Sequence, residues 1–425
     1  MLESRKMYPH GNYLMPPGSS TIDKWSFYTL LLYFAIQPFN NSLDLIPLVG
    51  SYLDLLWSVA LMALASIYAT NRNARPVGSF ELKIVLILVA YLAFCYVVAD
   101  KDISPELGSA SRAEYNLRYL IQSVPVFILV AMRGLNRKEL NAILTTIVLM
   151  TPFSIFTAYR DLQITSISGV QNFANSGEGI HYNSYVPYTT FPLFAAVYLL
   201  SEVKSKLLRI PIACSFALIA VFIFINPSRQ SVVFVFLGAL IVVALTRSIK
   251  KLLLIATIAA IVAFSVEKLD LTSRVESRFF SEQLLETTRT DLMAEGLDTI
   301  KGPLDWLFGM GLDLDLDDGV NPHNNYIFSV MRTGLLGMGL MFFPFVRALG
   351  KLTIEFIKYG KQAWFDSNFA SFTIITVLFV LFHSSFGYPH LDQINAPIVW
   401  FGLAVWVVYQ REMLSRLKMS VNISN

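Results

Sequence analysis

The sequence predicts an all-α fold, a polytopic transmembrane bundle of about twelve helical spans. Three observations carry that prediction. The 425-residue chain is 55% hydrophobic and 15% charged, with a mean hydropathy of +0.54. Its apolar residues gather into runs near the roughly 20 residues that cross a hydrocarbon core as a helix. One long polar connection interrupts those runs late in the chain, at 267–325.

In order, the runs lie near 25–39, 52–69, 82–99, 117–132, 140–159, 185–200, 207–225, 231–245, 252–266, 326–346, 369–386 and 394–409. Pro125, Pro152, Pro192, Pro344 and Pro397 fall inside them. Membrane helices tolerate proline where neighbours satisfy the freed carbonyls. The organisation expected is a cytoplasmic tail at 1–24, spans one to nine over 25–266, a periplasmic loop at 267–325, spans ten to twelve over 326–410, and a second cytoplasmic tail at 411–425. Residues 1–24 lack a short apolar core followed by a small-residue cleavage site, so they read as a retained tail. Cys95 and Cys214 both lie within apolar runs, which argues against a disulfide framework or a thiolate metal site.

Orientation follows from the basic residues. Of the 33 Lys and Arg, the larger share falls in alternate connections, among them Arg133, Arg137, Arg247, Lys250, Arg347, Lys351, Arg411 and Arg416. The positive-inside tendency makes those connections and both tails cytoplasmic, leaving 267–325 outside. Within that loop Val275, Phe279 and Phe280, then Leu292, Met293, Leu297 and Ile300, recur at helical spacing. Two amphipathic helices over the membrane mouth are expected. The stretch 160–182 is rich in Ser, Gly and Asn without periodicity and reads as an external loop.

The chemistry-bearing stretch is Asn321-Pro322-His323-Asn324, which precedes the tenth run and is followed by Gly334 and Gly337. An imidazole titrates near neutrality, so His323 can take a proton from a hydroxyl nucleophile without strong tuning. Asn324 either orients the histidine or caps the following helix, and capping is the preferred reading. The acidic run Asp313, Asp315, Asp317, Asp318 resembles the start of a calcium loop. Its sixth position is Asp318 rather than glycine and its twelfth is Asn324 rather than glutamate, so it is read as a solvated acidic turn with no metal. Among the other histidines, His383 is read as lining the cavity of His323, His390 as an ordinary loop residue, and His181 as unassigned.

The pattern His323-Asn324, nine residues, Gly334, two residues, Gly337 resembles the signature of the O-antigen ligase and O-antigen polymerase superfamily of membrane glycosyltransferases. Trp306-Leu307-Phe308-Gly309-Met310-Gly311 resembles that family's approach to the histidine, and Asn226-Pro227-Ser228-Arg229 its turn between two central spans. Gln230 stands where that turn carries a small residue. Arg289 falls where the family places an arginine in its large loop. The resemblance implies Arg229 and Arg289 as a clamp on a substrate diphosphate, whose oxygens a planar guanidinium holds in bidentate fashion. Arg118, Arg274, Arg278 and Arg332 are weaker candidates.

The implied reaction is inverting transfer from an undecaprenyl-diphosphate-linked oligosaccharide, with His323 as general base and neither metal nor cofactor. The implied partners are a lipid-linked donor and acceptor, membrane lipids and a chain-length regulator; nucleic acid is not among them. Polymerisation of glycan repeats is preferred over ligation to lipid A-core. Acidic side chains far outnumber basic ones in 267–325, which disfavours encounter with an anionic acceptor. A lipid-glycan flippase is the more distant alternative, since such proteins carry paired halves and charges deep within several spans.

Overall fold

A computed structural model describes residues 21–36, 50–70, 79–99, 112–165, 182–225, 229–248, 288–312, 324–362, 364–386 and 395–423. Among them every regular element is a helix. In chain order these are α1 (Thr21–Ile36), α2 (Gly50–Thr70), α3 (Ser79–Val98), α4 (Arg112–Ile121), α5 (Val124–Arg133), α6 (Arg137–Thr165) and α7 (Tyr182–Glu202). They continue as α8 (Lys206–Ile225), α9 (Arg229–Thr246), α10 (Thr288–Asp298), α11 (Pro303–Phe308), α12 (Asn325–Tyr359), α13 (Ser367–Ser384) and α14 (Asn395–Ile423).

Among the described residues, five helices contain stretches long and apolar enough to cross a membrane: Phe80–Val98, Arg137–Phe156, Lys206–Ile223, Asn325–Tyr359 and Ser367–Ser384. Leu55–Thr70, Val124–Arg133 and Gln230–Thr246 are shorter and also apolar. Large apolar side chains remain uncovered along these helices, including Val97 at 69%, Phe156 at 69% and Leu240 at 69% exposure. Continuous apolar surface of this kind requires a lipid surround, and the molecule is a membrane-embedded helical protein. The run at 252–266 and the first expected loop helix, around Val275 to Phe280, lie outside the described residues.

Helices α5, α7, α13 and α14 form the interior. Trp400 and Trp406 of α14 are fully buried, and Phe191 of α7 meets Phe372, Phe379 and Phe401 edge-on or tilted. Tyr198 stacks on Phe372 with ring centroids 4.8 Å apart. With no hydrophobic drive between helices in lipid, such interdigitation and a few polar links hold the bundle.

Several expected spans differ from the sequence reading: α14 continues to Ile423 through most of the stretch expected as a tail, and α6 reaches Thr165, inside the expected loop 160–182. The run 117–132 is two helices, α4 and α5, separated by a turn at Gln122 and Ser123. Pro125 at the start of α5 has no N–H to donate, so the helix restarts there. The Ser58 hydroxyl donates to the Gln122 carbonyl and so satisfies a group at the break. The run beginning at 326 does not end near 346, because α12, kinked at Gly334, continues to Tyr359.

Contacts sort the helix ends into two sets. At one end Arg133 pairs with Glu139 at 2.6 Å and donates to the Asp23 carbonyl at 2.8 Å. At that end too, Arg137 reaches Glu202, Asp366 and Glu412 at 2.5–2.8 Å, and Arg347 pairs with Glu81. The start of α1 and the polar half of α14 therefore share this end. The other end holds the termini of α3 and α13, the start of α12, and the short helices α10 and α11.

Candidate functional site

At the loop-side end, α12 begins with Asn324. Its backbone is extended (φ −141°, ψ 117°), and its side-chain oxygen accepts from the N–H groups of Tyr326 at 3.0 Å and Ile327 at 3.2 Å. This is N-capping, by which a short polar side chain satisfies donors that a helix start leaves unpaired. The Asn324 amide nitrogen also donates to the Ser385 carbonyl at 3.2 Å, just beyond the end of α13. Tyr326 adds a second tether, donating its hydroxyl proton to the Leu381 carbonyl at 2.7 Å.

Gly334 interrupts α12 with φ +67° and ψ −178°, a conformation open essentially to glycine alone. A break of this kind strips partners from the carbonyls of the preceding turn, which lipid cannot replace. Here the chain supplies them. Met310 N–H donates to the Met331 carbonyl at 2.7 Å and Gly311 N–H to the Arg332 carbonyl at 3.3 Å. The Tyr91 hydroxyl of α3 lies 2.8 Å from the Thr333 carbonyl and 3.2 Å from the Phe308 carbonyl.

The approach is backbone against backbone. A Cβ on Gly309 would collide with the Arg332 carbonyl and Thr333 nitrogen, and one on Gly334 with the Leu307 carbonyl and Phe308 nitrogen. Gly309 (φ +84°) and Gly311 (φ +122°) also hold conformations disfavoured for other residues. Gly337 serves side-chain packing instead, since a Cβ there would meet the Thr333 side chain and the Tyr91 ring. The Gly309/Gly311 pair and the Gly334/Gly337 pair thus close one junction among α3, α11 and α12.

Helix α11 starts at Pro303, with the Asp305 carboxylate accepting from Gly302 N–H at 3.1 Å. Before it, α10 lies where the second amphipathic loop helix was expected. Leu297 and Ile300 pack against Val330 and Met331 of α12. Arg332, a weaker sequence candidate, is 4% exposed, and its guanidinium sits 4.0 Å from the Phe328 ring centroid. That stacked placement suits a structural cation inside the bundle.

His383, in the last turn of α13, is 2% exposed. Its Nε2 lies 3.4 Å from the Thr190 hydroxyl of α7, and its ring packs against Phe234, Phe379 and Phe382. Nδ1 of His383 and the hydroxyls of Ser231 and Ser384 are buried and find no hydrogen-bond partner among the described residues. Arg229 is the first residue of α9, which packs on α13, and Arg289 is the second residue of α10, which packs on α12. His323, Asp313, Asp315, Asp317, Asp318, His181, His390, Arg274 and Arg278 lie outside the described residues.

The structure therefore unites Gly334 and Gly337 with Gly309 and Gly311, and at the start of α12 it links Asn324 through Ser385 to the end of the helix carrying His383. Sequence reasoning missed Tyr91, Thr333 and Thr190. Only Tyr91 offered a cue, a hydroxyl-bearing aromatic near the end of an otherwise apolar span. No protein-family profile matches the sequence, and no characterised protein matches it.

Proposed function

We propose that the protein is an inverting membrane glycosyltransferase that polymerises lipid-linked oligosaccharide repeats of a bacterial surface polysaccharide. The supporting observation is the glycine junction. Two sequence features that resemble the O-antigen polymerase and ligase superfamily meet there in three dimensions, Gly309 and Gly311 seating on the backbone around Gly334, while at the start of the same helix Asn324, the residue after His323, is tied to the end of α13.

In this reading His323 accepts the proton of an acceptor-sugar hydroxyl while that oxygen attacks the donor's anomeric carbon. The bond from that carbon to the diphosphate breaks, and the electron pair leaves on the diphosphate. Its charge is delocalised, so the protein chiefly supplies position and electrostatic stabilisation through Arg229 and Arg289. The acidic balance of 267–325 favours a lipid-linked repeat over an anionic lipid A-core as acceptor. The full arrangement has about twelve spans, both tails in the cytoplasm and the loop in the periplasm of a bacterial inner membrane. Arg133, Arg137, Arg347 and Arg416 at one end of the bundle support that polarity.

The test is a transfer assay with purified protein and an undecaprenyl-diphosphate-linked repeat. A ladder of polymer is expected, and folded His323→Ala should be slower by about 100- to 10,000-fold, the worth of a positioned general base. Near-normal turnover by that variant would sink the assignment, and transfer only onto lipid A-core would make the protein a ligase.

A further inference from the structure

We infer that α11 is immersed in the outer leaflet of the bilayer, its apolar side chains packed among acyl chains rather than lying over the membrane mouth in water. This placement is independent of the chemistry proposed above; that the leaflet is the outer one rests on the topology proposed there. The way α11 is held points to it. None of its six residues is buried: Leu304 is 69% exposed, Leu307 and Phe308 45% each, and Trp306 37%. The helix docks through glycine-permitted backbone contact with Gly334 and through Tyr91, leaving a large part of its apolar side-chain surface uncovered by protein. Leu335 and Leu336 of α12, adjacent to the docking point, are 45% and 40% exposed and extend the same apolar surface.

Depth is set by the two helices that hold it. Arg347, paired with Glu81 and followed by Lys351 and Lys358, marks the far interface on α12. Gly334 lies thirteen residues before it, about 20 Å along a helix. In a hydrocarbon core roughly 30 Å thick, that leaves the junction about 10 Å below the near boundary. Helix α3 gives the same answer independently, because Tyr91 is seven residues short of the helix end at Val98, about 10 Å inside. A helix of six residues is about 9 Å long and cannot cross, so it resides in one leaflet. Lys301, two residues before the helix, and the Asp305 carboxylate, which turns back to accept from the Gly302 N–H, put the polar groups of α11 at its first turn.

The experiment uses the full chain in lipid nanodiscs on a Cys214→Ser background, which removes the exposed native thiol while Cys95 stays buried. Spin labels are placed at Leu304→Cys and Leu307→Cys, with Lys301→Cys as the aqueous reference and Leu336→Cys as the lipid reference. Oxygen, which partitions into hydrocarbon, should relax the two α11 labels as strongly as the Leu336 label, and a water-soluble nickel chelate should relax only the Lys301 label. Chelate access at Leu304 and Leu307 equal to that at Lys301 would overturn the inference, and so would shielding from both reagents. Quenching of Trp306 fluorescence by brominated acyl chains, read as the difference from Trp306→Phe, checks the result without a label. Repeating the series in His323→Ala should leave it unchanged, so failure here and failure of the catalytic proposal are separate events.

Discussion

The Tyr91 hydroxyl lies 2.8 Å from the Thr333 carbonyl, joining α3 to α12 across 242 residues of sequence, one residue before Gly334 breaks the helix. The hydroxyl replaces a main-chain donor that the break removes. Tyr91→Phe keeps the ring against Gly337 and deletes only the proton donor. Leaving a buried carbonyl unpaired costs about 1–3 kcal/mol. A lower thermal midpoint in detergent, with unchanged helical content, is the expected result.

The glycines of α12 should respond very differently to one methyl group. At Gly334 an added Cβ meets both a positive φ and the backbone of Leu307 and Phe308, whereas at Gly339 it meets nothing within 4 Å. Backbone strain alone is worth about 1–3 kcal/mol, and the collision displaces α11 as well. Gly334→Ala should therefore release α11 and speed proteolysis within 288–312. Gly339→Ala should match or exceed the parent, because alanine favours a helix over glycine by about 1 kcal/mol.

Helix type and the apolar character of the spans were legible because membrane insertion imposes a strong one-dimensional signal. The glycine spacing was legible as a pattern, yet not as a mechanism. Gly309 and Gly334 act through main-chain atoms, and main-chain contacts leave no complementary side chain to read. The division at Gln122 was hidden for another reason. Pro125 can sit within a membrane helix or restart one, and the carbonyl freed at the break is met by Ser58, which is distant in sequence. Tyr91 and Thr190 became informative only when folding set them beside Thr333 and His383.

Charge at the opposite end should govern acid stability. Arg137 reaches Glu202 at 2.8 Å, Asp366 at 2.5 Å and Glu412 at 2.8 Å, and lies over the Phe369 ring at 5.0 Å. Burial raises the Asp366 pKa, but the Phe369 N–H and the Arg137 guanidinium outweigh it and hold the carboxyl below the usual range. With its folded pKa depressed, Asp366 stabilises the protein above its unfolded pKa of about 3.9. That contribution is lost as pH falls through the lower folded value. Arg137→Ala leaves the three acids without their shared cation, a change worth about 3–5 kcal/mol for a buried pair and less at this partly exposed site. Melting curves against pH should show a lower midpoint at neutrality and a smaller further loss below pH of about 4.

Asn324 makes two contacts that substitution can separate. Its oxygen caps α12, and its amide nitrogen ties the start of that helix to Ser385 beside the end of α13. Asp and Ser are both strong N-caps, and a carboxylate also suits a helix N-terminus. Neither can donate as the amide does: the carboxylate faces the Ser385 carbonyl as a second acceptor, and the serine hydroxyl is too short to reach it. Asn324→Asp and Asn324→Ser should therefore keep most of the stability that Asn324→Ala loses, about 0.5–2 kcal/mol for the cap. If the tether positions His323, both capping-competent variants should still lose turnover by about tenfold, the kinetic equivalent of one net hydrogen bond near 1.4 kcal/mol. The loss should fall on kcat with KM for the lipid-linked donor unchanged, because the proposed function assigns donor binding to Arg229 and Arg289. Wild-type turnover in Asn324→Ser would assign this residue to capping alone, whereas a matched fall in stability and rate across all three variants would show that the cap and the tether are one structural unit.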